Sequence, residues 1–125
     1  MRSEQNVTAV KRRIAAAHGD VVGDVLLKNA KVVNVFNGLV EDKDILLCGD
    51  CIAGHGQYDT AETIVDLAGA FVIPGLIDSH VHIESSFLIP EEFGRAVLSR
   101  GTTAVIADPH EIANVMGTEG LDFMV

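Results

Sequence analysis

GLIDSHVHIESS, residues 75–86, carries two histidines two positions apart, between an apolar run and a carboxylate. Side chains of an extended chain alternate between faces. The spacing therefore predicts Asp78, His80, His82 and Glu84 on one face of a strand, behind Leu76, with Ile77, Val81 and Ile83 on the other. The two imidazoles then stand about 7 Å apart at Cα, a span that one divalent ion bridges. Imidazole nitrogens suit zinc, iron or manganese, and a carboxylate one step further adds charge or a proton carrier. A lone histidine at a strand end commonly does no more than satisfy backbone groups. Two in register with two carboxylates point instead to a metal site.

The residues that follow give this strand its setting. PEEFGRAVLSRG (90–101) reads as a helix with Pro90 in its first turn and Gly101 past its end. TTAVIAD (102–108) reads as a second buried strand closed by Pro109, and EIANVMG and TEGLDFMV resume helical patterns. Strand, helix, strand, helix predicts an α/β architecture with parallel strands, whose active sites lie at the carboxyl edge of the sheet. Asp108, held extended by the proline after it, closes the second strand at that edge. His110 and Glu111 come next, free to reach a ligand or to begin a helix, where the charge of Glu111 suits the helix dipole equally well. Asn114 and Gly117 read as helix packing and a helix terminator.

Upstream of Pro74-Gly75 the pattern is different. TAVKRRIAAAH (8–18) favours a short helix ending near Gly19. From residue 24, β-branched and apolar runs recur every eight to twelve residues. Asn37-Gly38 is a strong hairpin signal, and a further turn is expected at Ala68-Gly69. These runs predict part of a small β-sandwich. The expected organisation is a helical segment over 1–20, the β segment over 21–73 and the β/α segment over 74–125. Cys48 and Cys51 are read as small apolar residues flanking a glycine turn, because a zinc site would need a second pair. His18 and His55 fall outside the β/α segment and are read as surface or loop residues.

Composition excludes several classes. Among 125 residues, 9 are basic and 18 acidic, a formal charge of −9, which disfavours nucleic acid or an anionic membrane as partner. No apolar run approaches the ~20 residues of a membrane span. The first twenty residues lack the apolar core of a secretory signal, so a cytoplasmic location is expected. Cytidine-deaminase-type chemistry uses H-x-E followed downstream by P-C-x-x-C. Here His82-Ile83-Glu84 is present, but the C-x-x-C lies upstream and follows Leu47.

FVIPGLIDSHVH resembles the opening of the amidohydrolase superfamily, in which the first barrel strand carries an H-x-H metal pair. The β segment ending in Pro-Gly is similar to the split β domain of that superfamily. HVHIESS and GTTAVIADPHEIANVMG, with the spacing between them, narrow the resemblance to the adenine deaminases of the long bacterial form. The resemblance implies an amidohydrolase-type (β/α)8 metal-dependent barrel, of which residues 74–125 are the start, preceded by part of a β-sandwich. It implies a divalent, binuclear centre (Mn, Fe or Zn) with His80 and His82 as ligands, and a small-molecule purine as substrate. Glu84 and His110 are then the expected catalytic residues, with Glu84, Asp108 and Glu111 in contact with substrate. A homodimer is the assembly to look for in the complete protein. Another amidohydrolase, acting on a cyclic amide or an N-acetyl group, would share the metal pair. An inactive truncated remnant is the non-enzyme alternative. A complete barrel needs about 250 residues, so the 125-residue product alone is expected to be aggregation-prone and inactive on adenine.

Overall fold

The Asn37-Gly38 signal closes a hairpin between β1 (Gly23–Asn34) and β2 (Leu39–Cys48) in a computed structural model that describes residues 2–124. Gly38 adopts φ +73°, its N–H donates to the Asn34 carbonyl at 2.8 Å, and Asn37 Oδ1 accepts from the Leu39 amide at 2.9 Å. Gly49, at φ +64°, turns the chain again into β3 (Cys51–Gly56), with Cys48 opposite Cys51. These antiparallel pairs form one side of a sheet ordered β3-β2-β1-β4.

The other side is parallel, which the runs and turns of the sequence did not disclose. Both β4 (Ala61–Asp66) and β5 (Phe71–Val72) pair with β1, β4 along Gly23–Lys28 and β5 along Lys31–Val32. The break between them falls where β1 itself bulges at Asn29, which has φ +57°. Asn is one of the few side chains that tolerate this conformation. Its side-chain amide donates to Asp66 Oδ1 and its own N–H donates to Asp44 Oδ1, both at 2.9 Å. Asp66 also accepts the Ala68 amide, and these two bonds, that from Asn29 foremost, lower its carboxyl pKa.

Helix α1 (Arg2–His18) covers this sheet and begins earlier than the alanine-rich stretch alone predicted. It ends as expected, with Gly19 at φ +83° and the Gly19 and Asp20 amides donating to the Ala16 and Ala15 carbonyls. Ala16, Leu26, Leu46 and Cys48 form the buried cluster between helix and sheet. Cys48 thus behaves as a small apolar residue, and both cysteines are free thiols. A Cβ on Gly23 would lie 2.6 Å from Leu46 Cδ1 and 2.9 Å from its Cγ. Leu46 is 1% exposed and has nowhere to retreat. Gly23→Ala should therefore destabilise the protein by about 1–3 kcal/mol in urea unfolding, the usual cost of overpacking a core; an unchanged midpoint would show that the core yields.

Arg12 on α1 is paired with Asp24 at the start of β1. The guanidinium, and secondarily the Gly49 amide, lower the Asp24 carboxyl from 3.8 to about 2. A lowered folded pKa contributes stability that is present above the ordinary value and lost as pH falls through the folded one. Asp24→Asn should thus flatten the loss of thermal stability between pH 3.8 and about pH 2. Melting curves of parent and variant that stay parallel over that interval would contradict the assignment.

Pro74–Val125 forms a compact unit separate from Met1–Ile73. Its strands β6 (Leu76–Val81) and β7 (Thr102–Ala107) pair in parallel, joined through α2 (Pro90–Leu98). Pro90 opens α2, Glu91 and Glu92 occupy its first turn, and Gly101 at φ +94° brings the chain into β7. Ile83, Phe93, Val97 and Val105 line one cleft in this unit, and Ile83 is only 5% exposed. After β7 come α3 (His110–Met116) and α4 (Thr118–Met124), separated by Gly117 at φ +64°. Among the described residues no helix is long and apolar enough to cross a membrane.

One sequence expectation needs correction here. The strand predicted through Glu84 ends at Val81, and Glu84–Ser86 form a single 3-10 turn. The serines divert the chain. Ser86 Oγ donates to the Ile83 carbonyl at 2.6 Å and accepts the Leu88 amide at 3.2 Å, while the Ser85, Ser86 and Phe87 amides close tight turns onto His82, Ile83 and Glu84. Such local bonds offer the backbone an alternative to the sheet ladder. The alternation that put Glu84 on the face of His80 therefore stops before it.

Candidate metal centre

The carboxyl ends of β6 and β7 are tied together residue by residue. The Asp108 amide donates to the Val81 carbonyl at 2.9 Å, and the Asp108 carbonyl lies 2.8 Å from His82 Nδ1. A carbonyl oxygen can only accept, so a neutral His82 carries its proton on Nδ1 and its lone pair on Nε2. That Nε2 lies 3.1 Å from His80 Nε2, the two rings nearly perpendicular at 83°. At Zn–N bonds of ~2.1 Å, a 3.1 Å separation corresponds to an N–metal–N angle of about 95°. Both nitrogens thus point toward a common ligand position. The pinning of His82 by a backbone carbonyl is the support that metal-binding histidines commonly have.

The other sequence-named residues gather around this pair. Asp108 Oδ2 is 3.1 Å from His110 Nδ1, and the His110 ring stands 4.8 Å from that of His82. The imidazole of His110, more than that of His82, lowers the Asp108 carboxyl below the usual carboxylate range. Of the two readings of His110 and Glu111, the helical one holds, since they form the first turn of α3. Ligand atoms of His80, His82 and Asp108 all lie within 4.8 Å of one another, as do those of His82, His110 and Glu111. Two imidazoles and a carboxylate form a donor set that fits Zn, Fe or Mn.

Glu84 is differently employed. Pro109, at the N-cap of α3, offers no side-chain cap, and Glu84 Oε1 accepts the Ile112 amide at 3.2 Å in its place. Glu84 Oε2 is buried and has no hydrogen-bond partner among the described residues. Ser85, which the sequence reading passed over, donates from Oγ to Glu111 Oε1 at 2.9 Å. Its only signal was its place beside Glu84 in the turn. Gly117 does end α3, its amide donating to the Ala113 carbonyl at 2.8 Å. His18 and His55 lie in the other unit.

The amidohydrolase family profile matches residues 71–125. Among curated proteins, the adenine deaminase of Kosmotoga olearia is 53% identical over 112 residues, which is 90% of this chain and 19% of that protein. The adenine deaminase of Listeria monocytogenes is 45% identical over 97% of this chain and 21% of its own length. Adenine deaminase 2 of Desulfotalea psychrophila is 52% identical over 96% of this chain and 21% of its own. The chain spans about a fifth of the length of the curated relatives it matches. Among solved structures, a D-aminoacylase mutant in complex with copper chloride superposes with a TM-score of 0.60 at 31% identity, over 69% of this chain and 18% of that one. An N-acyl-D-glutamate deacylase of Bordetella bronchiseptica, complexed with zinc and a phosphonate inhibitor, gives 0.59 at 24% identity, over 70% of this chain and 19% of that one, and shows the fold. The β/α unit is therefore part of an amidohydrolase-type barrel, and the H-x-H pair stands at the carboxyl edge of its strands. With its relatives named adenine deaminase aligned along nine-tenths or more of its length, the chain belongs to the metal-dependent amidohydrolase family, in the adenine deaminase branch.

Proposed function

We propose that the protein carrying this chain hydrolyses adenine to hypoxanthine and ammonia, at a centre of two divalent ions (Mn, Fe or Zn) for which His80 and His82 are ligands. The observation that carries this reading is the convergence of the two Nε2 atoms, 3.1 Å apart, in a chain whose curated relatives are named for that reaction. A divalent ion supplies Lewis-acid activation of water at neutral pH. The chain's own residues do the rest. His82 is held in the ligating tautomer by the Asp108 carbonyl. In the hydrolysis, water oxygen bonds to C6, the C6–N bond breaks, and the departing nitrogen must be protonated because amide ion is a poor leaving group. Glu84 and His110 are assigned as the proton carriers, and the partnerless Glu84 Oε2 suits an N–H of the purine. Asp108 and Glu111 complete the wall of the site.

The experiment uses a protein of the relatives' length that carries residues 1–125 unchanged. Stripped of metal, it should lose adenine turnover, followed by ammonia release and ultraviolet absorbance, and regain it with Mn, Fe or Zn. Hydrolysis of a hydantoin or an N-acyl amino acid, with adenine untouched, would replace the reading by that of another amidohydrolase.

A further inference from the structure

The H-x-H pair supplies two nitrogens, and two different groups of side chains compete to supply the next ligand from this chain. One adds the Asp108 carboxylate to His80 and His82; the other combines His82 with His110 and Glu111. The hydrogen bonds decide between them. His82 has one free nitrogen, because its Nδ1 is bound to the Asp108 carbonyl, and that free Nε2 faces His80. An ion held by His82, His110 and Glu111 would have to draw this nitrogen away from His80. It would also have to share His110, whose Nδ1 is taken by Asp108, and Glu111, whose Oε1 is taken by Ser85. The first group keeps both Nε2 atoms facing one position, and in it the bond between His110 and Asp108 Oδ2 stays in place as a support. Asp108 is fixed by its amide to Val81 and by its carbonyl to His82, so its carboxylate starts from a backbone already locked beside the pair.

We propose that the Asp108 carboxylate is the third ligand that this chain gives to the ion held by His80 and His82, with His110 as the residue that positions it. The proposal rests on the metal reading of the histidine pair and extends it. Asp108 then acts on the ion twice, through its carbonyl, which aims His82, and through its carboxylate, which closes the site from the neighbouring strand. His110 Nδ1 on Oδ2 at 3.1 Å holds the carboxylate in place, and Glu111, bound to Ser85, stays outside the coordination sphere.

Zinc affinity, measured by competition with a chromophoric chelator in the same long protein, tests this apart from catalysis. Asp108→Asn keeps the shape and the main-chain carbonyl, and should weaken zinc binding by at least about 10-fold. Asp108→Glu, which restores a carboxylate, should recover part of the loss, and Glu111→Gln should stay within a few-fold of the parent. Circular dichroism of each variant establishes that it is folded. Parent-like affinity in Asp108→Asn, or no recovery in Asp108→Glu, would overturn the proposal. So would a loss in Glu111→Gln as large as that in Asp108→Asn. If His80→Ala and His82→Ala also leave zinc affinity unchanged, the metal reading itself falls, which separates the two failures.

Discussion

Replacing His80 or His82 with alanine should remove bound metal and adenine turnover together. Each histidine contributes one Nε2 to the shared position, and a single imidazole is a poor holder of a divalent ion once its partner is gone. The two substitutions should behave alike, although the surroundings differ. His82 is locked by the Asp108 carbonyl, whereas the ring of His80 faces His82 and it is the His80 amide that donates to Asp78 Oδ1 at 3.1 Å. Elemental analysis of the purified variants, alongside ammonia release, checks the outcome. Full metal occupancy with normal turnover in either variant would remove that histidine from the site.

Glu84→Gln should retain metal yet lose turnover on the order of 10²-fold, the usual scale for a proton-transfer group. Gln keeps an oxygen that can accept the Ile112 amide, so the cap on α3 survives while the buried partnerless oxygen is replaced by an amide. Glu84→Ala should add a structural defect of about 1 kcal/mol, because the cap is lost as well. Comparing the thermal stability of the two variants separates the roles of the two oxygens. Turnover within a few-fold of the parent in Glu84→Gln would leave the residue as a helix cap and nothing more.

These two residue types illustrate what the sequence discloses and what it conceals. The histidines were legible because strand alternation holds through His80 and the chain turns only after it, so both rings still face one position. The placement of Asp108 beside them followed from Pro109, which ends β7 at the same edge. Glu84 was misplaced on the strand face because the turn that removes it is made by Ser85 and Ser86, whose side chains bond to backbone and to α3. A period-of-two pattern carries no sign of such bonds. In the β segment, the hairpins at Asn37-Gly38 and Gly49 were local and readable. The parallel pairing of β4 and β5 with β1 joins residues more than thirty positions apart, and nothing in the runs themselves selects it. The bulge at Asn29 that separates β4 from β5 needs Asp44 and Asp66 to hold it, again a long-range arrangement.

Everything proposed for this chain depends on a metal ion between His80 and His82. The direct measurement is anomalous X-ray scattering from crystals of the long protein loaded with zinc, with data collected on both sides of the zinc absorption edge. The account predicts an anomalous peak about 2.0–2.1 Å from the Nε2 atoms of both His80 and His82. A peak elsewhere, with the two rings binding no ion, would contradict it.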